Sequence, residues 1–244
     1  STIEASVAMK LVKPAEFERV IVDTTVQEKA IAHPTDSRLL EIARHKIASA
    51  AKRVGIAVKQ TFAKQGKQLR RKAGGYAHAK QFKRLARTVK RQRTILGRLM
   101  RDVQRGVNRI SQADGSGVDL SSASAMKALT LWLERAERVR TQKIQDKNKL
   151  YALHAPEVEC IGKGKAHRPY EFGVKVSVAT TLSHAKGGQF VTHVKALPGN
   201  PYDGHTLATV IPDIEALVGN TLQRAFVDKG YRGHNAPPDY KFRV

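Results

Sequence analysis

From Ser37 to Leu150 the chain carries about 29 of its 44 Lys and Arg but only about 7 of its 21 Asp and Glu. The remainder is close to balanced, about 15 cations against about 14 acids. Nearly all of the net charge of +23 therefore sits in one middle segment. Such a segment repels itself, and it folds only if apolar residues sorted onto a shared face supply enough burial to offset that. They are sorted at helical spacing. Leu39, Leu40, Ile42, Ala43, Ile47 and Ala50 form a first run, which Asp36 or Ser37 can cap. A second run covers Tyr76 to Ile110, with Phe82, Leu85, Val89, Ile95, Leu96, Leu99 and Val103, and Gly74-Gly75 separates the two. A third covers Ser122 to Leu150, with Met126, Leu129, Leu131, Trp132, Leu133 and Val139, after the loop signal Asp114-Gly115-Ser116-Gly117. The pattern predicts a helical bundle or hairpin over residues 37–150, with Trp132 as a core anchor.

The flanks follow strand rules. Arg19 to Val26 is rich in β-branched residues. Tyr170 to Thr181 alternates, with Tyr170, Phe172, Val174, Val176 and Val178 on one face. Gln189 to Leu197 reads as a second strand, joined to the first through Ser183–Gly188, which has hairpin chemistry. Thr206 to Val218 reads as a helix that Pro212 should break or kink. Leu222 to Val227 is a further strand, ending at Asp228 and the turn Lys229-Gly230-Tyr231-Arg232-Gly233. The chain divides into residues 1–36 with the first strand, the basic helical insertion 37–150, and the remainder 151–244.

This excess of cations points to a polyanionic partner: DNA, RNA or an anionic membrane surface. No stretch approaches the roughly 18 apolar residues of a spanning helix, and no signal sequence opens the chain. The lone cysteine, Cys160, cannot form an internal disulfide, which fits a reducing, cytoplasmic location. Ser1 in place of Met, and a tail (240–244) that reads as a strand just begun, lead us to expect a chain truncated at both ends.

Two aspartates sit where chemistry would want them. Asp23 interrupts an apolar strand and Asp228 ends another. If those strands are neighbours, the carboxylates converge. Paired carboxylates suit Mg²⁺ or Mn²⁺, hard ions that prefer oxygen. Two such ions, about 3.5–4 Å apart, can promote phosphodiester chemistry. The densest cations lie at Lys64–Lys72 and Lys80–Arg93. Lys67, Arg70, Arg71, Lys72, Lys83, Arg84, Arg87, Lys90, Arg91 and Arg98 are candidate nucleic-acid contacts. Such residues give strong, salt-sensitive and largely non-specific binding. Arg232, close to Asp228, could touch a phosphate near the acids.

Several segments, in order, resemble the DDE transposases of bacterial insertion sequences, closest to the group named after insertion sequence five. They are Val20–Lys29, His33–Leu40, His154–Ile161, Lys163–Lys175, Pro198–His205 and Val227–Gly233, which together span nearly the whole chain. The resemblance implies an α/β, RNase H-like core, a mixed sheet with helices, carrying a long helical insertion after the first strand. It implies metal-dependent cleavage and transfer of double-stranded DNA at element ends and target, and a possible homodimer. Asp23 would be the first acid and Asp228 the second, with Asp203 the alternative. The family's third acid, a glutamate, lies well beyond the second aspartate, whereas this chain stops sixteen residues after Asp228 with no Glu in that tail. The core is therefore expected to be incomplete and inactive alone, with weak metal binding. Two other readings compete: a non-catalytic basic helical nucleic-acid-binding protein, and an RNase H-like nuclease completing its site with Asp203 or Glu171.

Overall fold

The computed structural model describes residues 2–113, 120–164, 166–167, 169–183, 186 and 188–238. The loop at 114–117, part of the 183–188 connection and the 240–244 tail thus lie outside the described residues. The chain divides into two compact units, one formed by 1–30 with 159–244 and the other by 31–158.

The first unit is built on a five-stranded mixed sheet. A short helix, α1 (Thr2–Ala8), precedes the strands β1 (Arg19–Glu28), β2 (Glu159–Gly162), β3 (Tyr170–Thr181), β4 (Val191–Ala196) and β5 (Arg224–Phe226). The order is β2-β3-β1-β5, and β4 also pairs with β3. β1 runs antiparallel to β3, with Asp23 opposite Val178, and parallel to β5, with Ile21 opposite Phe226. A mixed sheet of this order, with a helical unit entering after its first strand, is consistent in outline with an RNase H-like arrangement. The helix α6 (Leu207–Val218) links β4 to β5. It packs Leu207, Val210, Ile211 and Ile214 with Val20, Val22 and Ala179 of the sheet.

Two expectations fail in this unit. First, α6 continues through Pro212 as one helix. The missing donor forfeits one backbone bond, but burial of the residues around it, Val210, Ile211 and Ile214, offsets that loss. Second, the more buried face of β3 is the one bearing Gly173, Ser177, Ala179 and Thr181, while Phe172, Val174, Val176 and Val178 are only half-buried. Small side chains let a covering layer approach closely. Gly173 is constrained within the sheet instead, since a Cβ there would stand 2.1 Å from the Gln27 carbonyl oxygen of the adjacent strand β1. β4 and β5 are also shorter than the sequence patterns suggest.

The second unit is helical: α2 (Asp36–Arg53), α3 (Ala63–His78), α4 (Phe82–Ala113) and α5 (Leu120–Thr141). Its core gathers Leu39, Leu40, Ala43 and Ile47 of α2 with Leu96, Leu99 and Val103 of α4 and Leu129, Ala136 and Val139 of α5. Thr35, rather than Asp36 or Ser37, caps α2: its hydroxyl accepts the Arg38 N–H at 3.3 Å. Asp36 instead pairs with Arg93 at 3.2 Å. Gly74 and Gly75 do not end a helix. They lie inside α3, and the break falls at Ala79–Gln81, where Lys80 takes a left-handed φ of 55°. Trp132 is half-buried at the core edge, with Lys46 Nζ 5.3 Å and Arg135 5.6 Å from its ring centroid.

α2 and α3 meet at a buried ion pair. Arg44 donates through Nε and Nη2 to both oxygens of Glu41, at 2.8 and 2.7 Å. Its Nη1 donates to the Thr61 carbonyl at 2.7 Å. A buried pair is tolerated when every charge is answered in this way. Gly66 of α3 lies directly over it, with room for hydrogen only.

Candidate acidic site

The parallel pairing of β1 and β5 is Arg19 with Arg224, Val20 with Ala225 and Ile21 with Phe226. Extending that register by two residues, past the end of β5, would set Asp228 opposite Asp23. Strand residues two apart share a face, so Asp23 lies on the face of Ile21, and Asp228 would share the face of Phe226 if the extended path continues. Neighbouring strands are roughly 4.8 Å apart. Both aspartates are exposed.

Local backbone bonds orient each carboxylate. Asp23 Oδ1 accepts the Thr24 N–H at 2.8 Å. Asp228 Oδ1 accepts the Gly230 N–H at 2.8 Å, capping the short turn Lys229–Tyr231. Gly230 is needed for that cap, because a Cβ there would come within 2.8 Å of Asp228 Oδ1. The second oxygen of each carboxylate remains for another partner.

Beside them is Tyr231, which is fully buried. Its hydroxyl has no hydrogen-bond partner among the described residues; Thr24 lies close to it but short of hydrogen-bond geometry. Burial raises the phenol far above its ordinary range, and the charges of Asp203, Asp23 and Asp228 raise it further. Tyr231 therefore stays a neutral phenol that feels three carboxylates at once. The sequence marked Tyr231 only as part of a turn; a large aromatic ring three residues past Asp228, after a glycine, was the available signal for its burial.

Asp203 is differently placed. Its carboxylate is held by Lys175 Nζ at 2.8 Å, and the same ammonium donates to the Pro201 carbonyl at 2.9 Å. Lys175 is a positioning residue that no local pattern singles out. Glu171 is seven positions before Val178, the β3 partner of Asp23, and faces Lys163 at 3.7 Å. Among the described residues, no group of three or more His, Cys, Asp or Glu side chains is arranged to hold a metal ion. The chemistry of Asp23 and Asp228, two hard-oxygen ligands with oxygens to spare beside an unpartnered buried hydroxyl, fits part of a divalent-cation site.

The cation candidates fall on several surfaces. Lys67, Arg70, Arg71 and Lys90 line one groove of the helical unit. Lys72 and Arg84 line a smaller hollow beside Tyr76, with the Arg84 guanidinium 6.0 Å from that ring. Arg91 donates to Gln65 at 3.4 Å. Lys83, Arg87 and Arg98 are exposed on α4. Arg232 is exposed, and its carbonyl accepts the Tyr202 hydroxyl at 2.6 Å. No helix among the described residues is long and apolar enough to cross a membrane.

Comparison with known proteins adds little. No family model matches the chain, and no solved structure matches it. The chain is similar to an uncharacterized protein, ORF8 in the nfe locus of Rhizobium meliloti, with 45% identity over 82 residues. That match covers 34% of this chain and 40% of the relative's length.

Proposed function

We propose that this chain carries two of the carboxylates of a DDE-type phosphoryl-transfer site, with Asp23 and Asp228 as the ligands for Mg²⁺ or Mn²⁺ and double-stranded DNA as the substrate. The observation that supports this reading is the parallel β1–β5 register, Ile21 opposite Phe226, which would set Asp228 opposite Asp23 if carried on by two residues. A divalent ion held there would polarise a phosphodiester oxygen and neutralise developing charge. The chain's own residues prepare that spot. The Thr24 and Gly230 N–H groups fix one oxygen of each carboxylate. Tyr231, buried among Val20, Val22 and Ala225, anchors the turn that follows Asp228. Arg232, exposed on the same turn, offers a cation to a nearby phosphate. In the helical unit, cations on α3 and α4 neutralise backbone phosphates and release counterions.

Two carboxylates alone should bind the ion weakly, since such sites normally add further oxygens and substrate phosphates. Asp203, engaged by Lys175, is not counted as a ligand. Mn²⁺ titration followed by electron paramagnetic resonance tests the proposal. Weak binding to the unaltered chain should drop at least tenfold in Asp23→Asn and in Asp228→Asn, and change less than twofold in Asp203→Asn. Binding that is indifferent to Asp23 and Asp228 would leave a non-catalytic, basic nucleic-acid-binding protein as the better reading.

A further inference from the structure

The helical unit contains a groove that the acidic site does not explain. Helices α2, α3 and α4 enclose about 1570 Å³ within it. That exceeds the roughly 300–1,000 Å³ typical of small-molecule sites and suits a polymer. Its floor is apolar, formed by Ile42, Ala73, Ala77, Leu85 and Val89. Phe82 stands in it 66% exposed. Its rim is cationic, with Lys67, Arg70, Arg71 and Lys90. The two carboxylates in the lining are already neutralised, Asp36 by Arg93 and Glu41 by Arg44. Among the described residues, no carboxylate pairs with the four rim cations.

We infer that this groove holds an unpaired stretch of nucleic acid, with bases on the apolar floor and phosphates along the rim. A duplex presents phosphates but keeps its base faces stacked inside, so it would satisfy the rim and leave the floor empty. A splayed strand satisfies both, because every base has an apolar face that stacks on a ring such as Phe82. The planar guanidiniums of Arg70 and Arg71 can take phosphate in bidentate fashion or stack on a base. This rests on the reading of the helical unit as nucleic-acid-binding, and it adds which form of the strand is recognised there.

The test uses the full chain and two probes of equal length, a fluorescently labelled single-stranded oligothymidylate and a labelled duplex, each followed by anisotropy across a salt series. Phe82→Ala removes the stacking ring at an exposed position. Ala77→Glu places a negative charge on the floor, also at an exposed position. Each should weaken single-strand binding about tenfold, in line with the value of one stacked base, and change duplex binding less than twofold. Both variants should keep the helical circular dichroism of the unaltered chain. Equal losses for both probes, or no loss for either, overturn the groove assignment while leaving general DNA binding standing. Failure of the unaltered chain to bind either probe removes the nucleic-acid reading itself. Tighter binding of an acidic amphipathic helical peptide than of the oligothymidylate, with competition between them, would also overturn it.

Discussion

Gly66 of α3 sits so close to Glu41 of α2 that a Cβ on the glycine would stand 2.2 Å from Glu41 Oε2. It would also be 2.6 Å from Arg44 Nε. Gly66→Ala must therefore displace a buried, doubly bonded ion pair or push the helices apart. Overpacking of this kind costs about 1–3 kcal/mol. Gly74→Ala and Gly75→Ala are the controls, since both lie inside the same helix with open space around them. There alanine should stabilise by about 0.5–1 kcal/mol. Urea unfolding followed by circular dichroism should show opposite signs at the two kinds of position.

Tyr231 separates packing from polarity beneath the acidic site. Its ring is fully buried and its hydroxyl lacks a hydrogen-bond partner among the described residues. Tyr231→Phe removes an unsatisfied polar atom and should be neutral or stabilising, by up to about 1 kcal/mol. Tyr231→Leu leaves a cavity and should cost about 2–4 kcal/mol. Thermal unfolding distinguishes them. A large loss in Tyr231→Phe would mean that the hydroxyl makes a bond that the structure does not show.

His193 on β4 gives the fold a pH dependence of known sign. Burial lowers the imidazole from its ordinary value of 6.5, Asp213 at 3.9 Å opposes that shift, and Lys195 reinforces it. The unfolded chain therefore binds the proton more readily than the folded one. Stability contributed by neutral His193 is complete above pH 6.5 and is lost as pH falls through the lowered folded value. The urea midpoint should decline between about pH 7 and pH 5, and His193→Gln should flatten that decline.

Much of this molecule could be read directly from periodicity. Apolar residues at helical spacing in Ile95, Leu96, Leu99 and Val103 become the buried stripe of α4, and β-branched runs become β1 and β3. What misled were cues whose meaning depends on packing. Gly74-Gly75 punctuates a chain in isolation, yet α3 runs through it because the neighbouring turns hold the helix. Val174, Val176 and Val178 look like a core face, yet the smaller Ser177 and Ala179 sit deeper. The acids Asp23 and Asp228 stood out as charges in apolar strands. The parallel β1–β5 register that bears on their relation depends on which strands pair, and no local pattern encodes that. Lys175 was invisible for the same reason: it matters only because Asp203, distant in sequence, folds beside it.

The proposed site requires Asp23 and Asp228 to share one divalent cation. The most direct measurement is a crystal of the protein grown or soaked with Mn²⁺, located by its anomalous scattering. A peak at the Asp23–Asp228 pair is expected, absent when either aspartate is replaced by asparagine. A peak elsewhere with none at this pair, or a peak here that survives both substitutions, would contradict it.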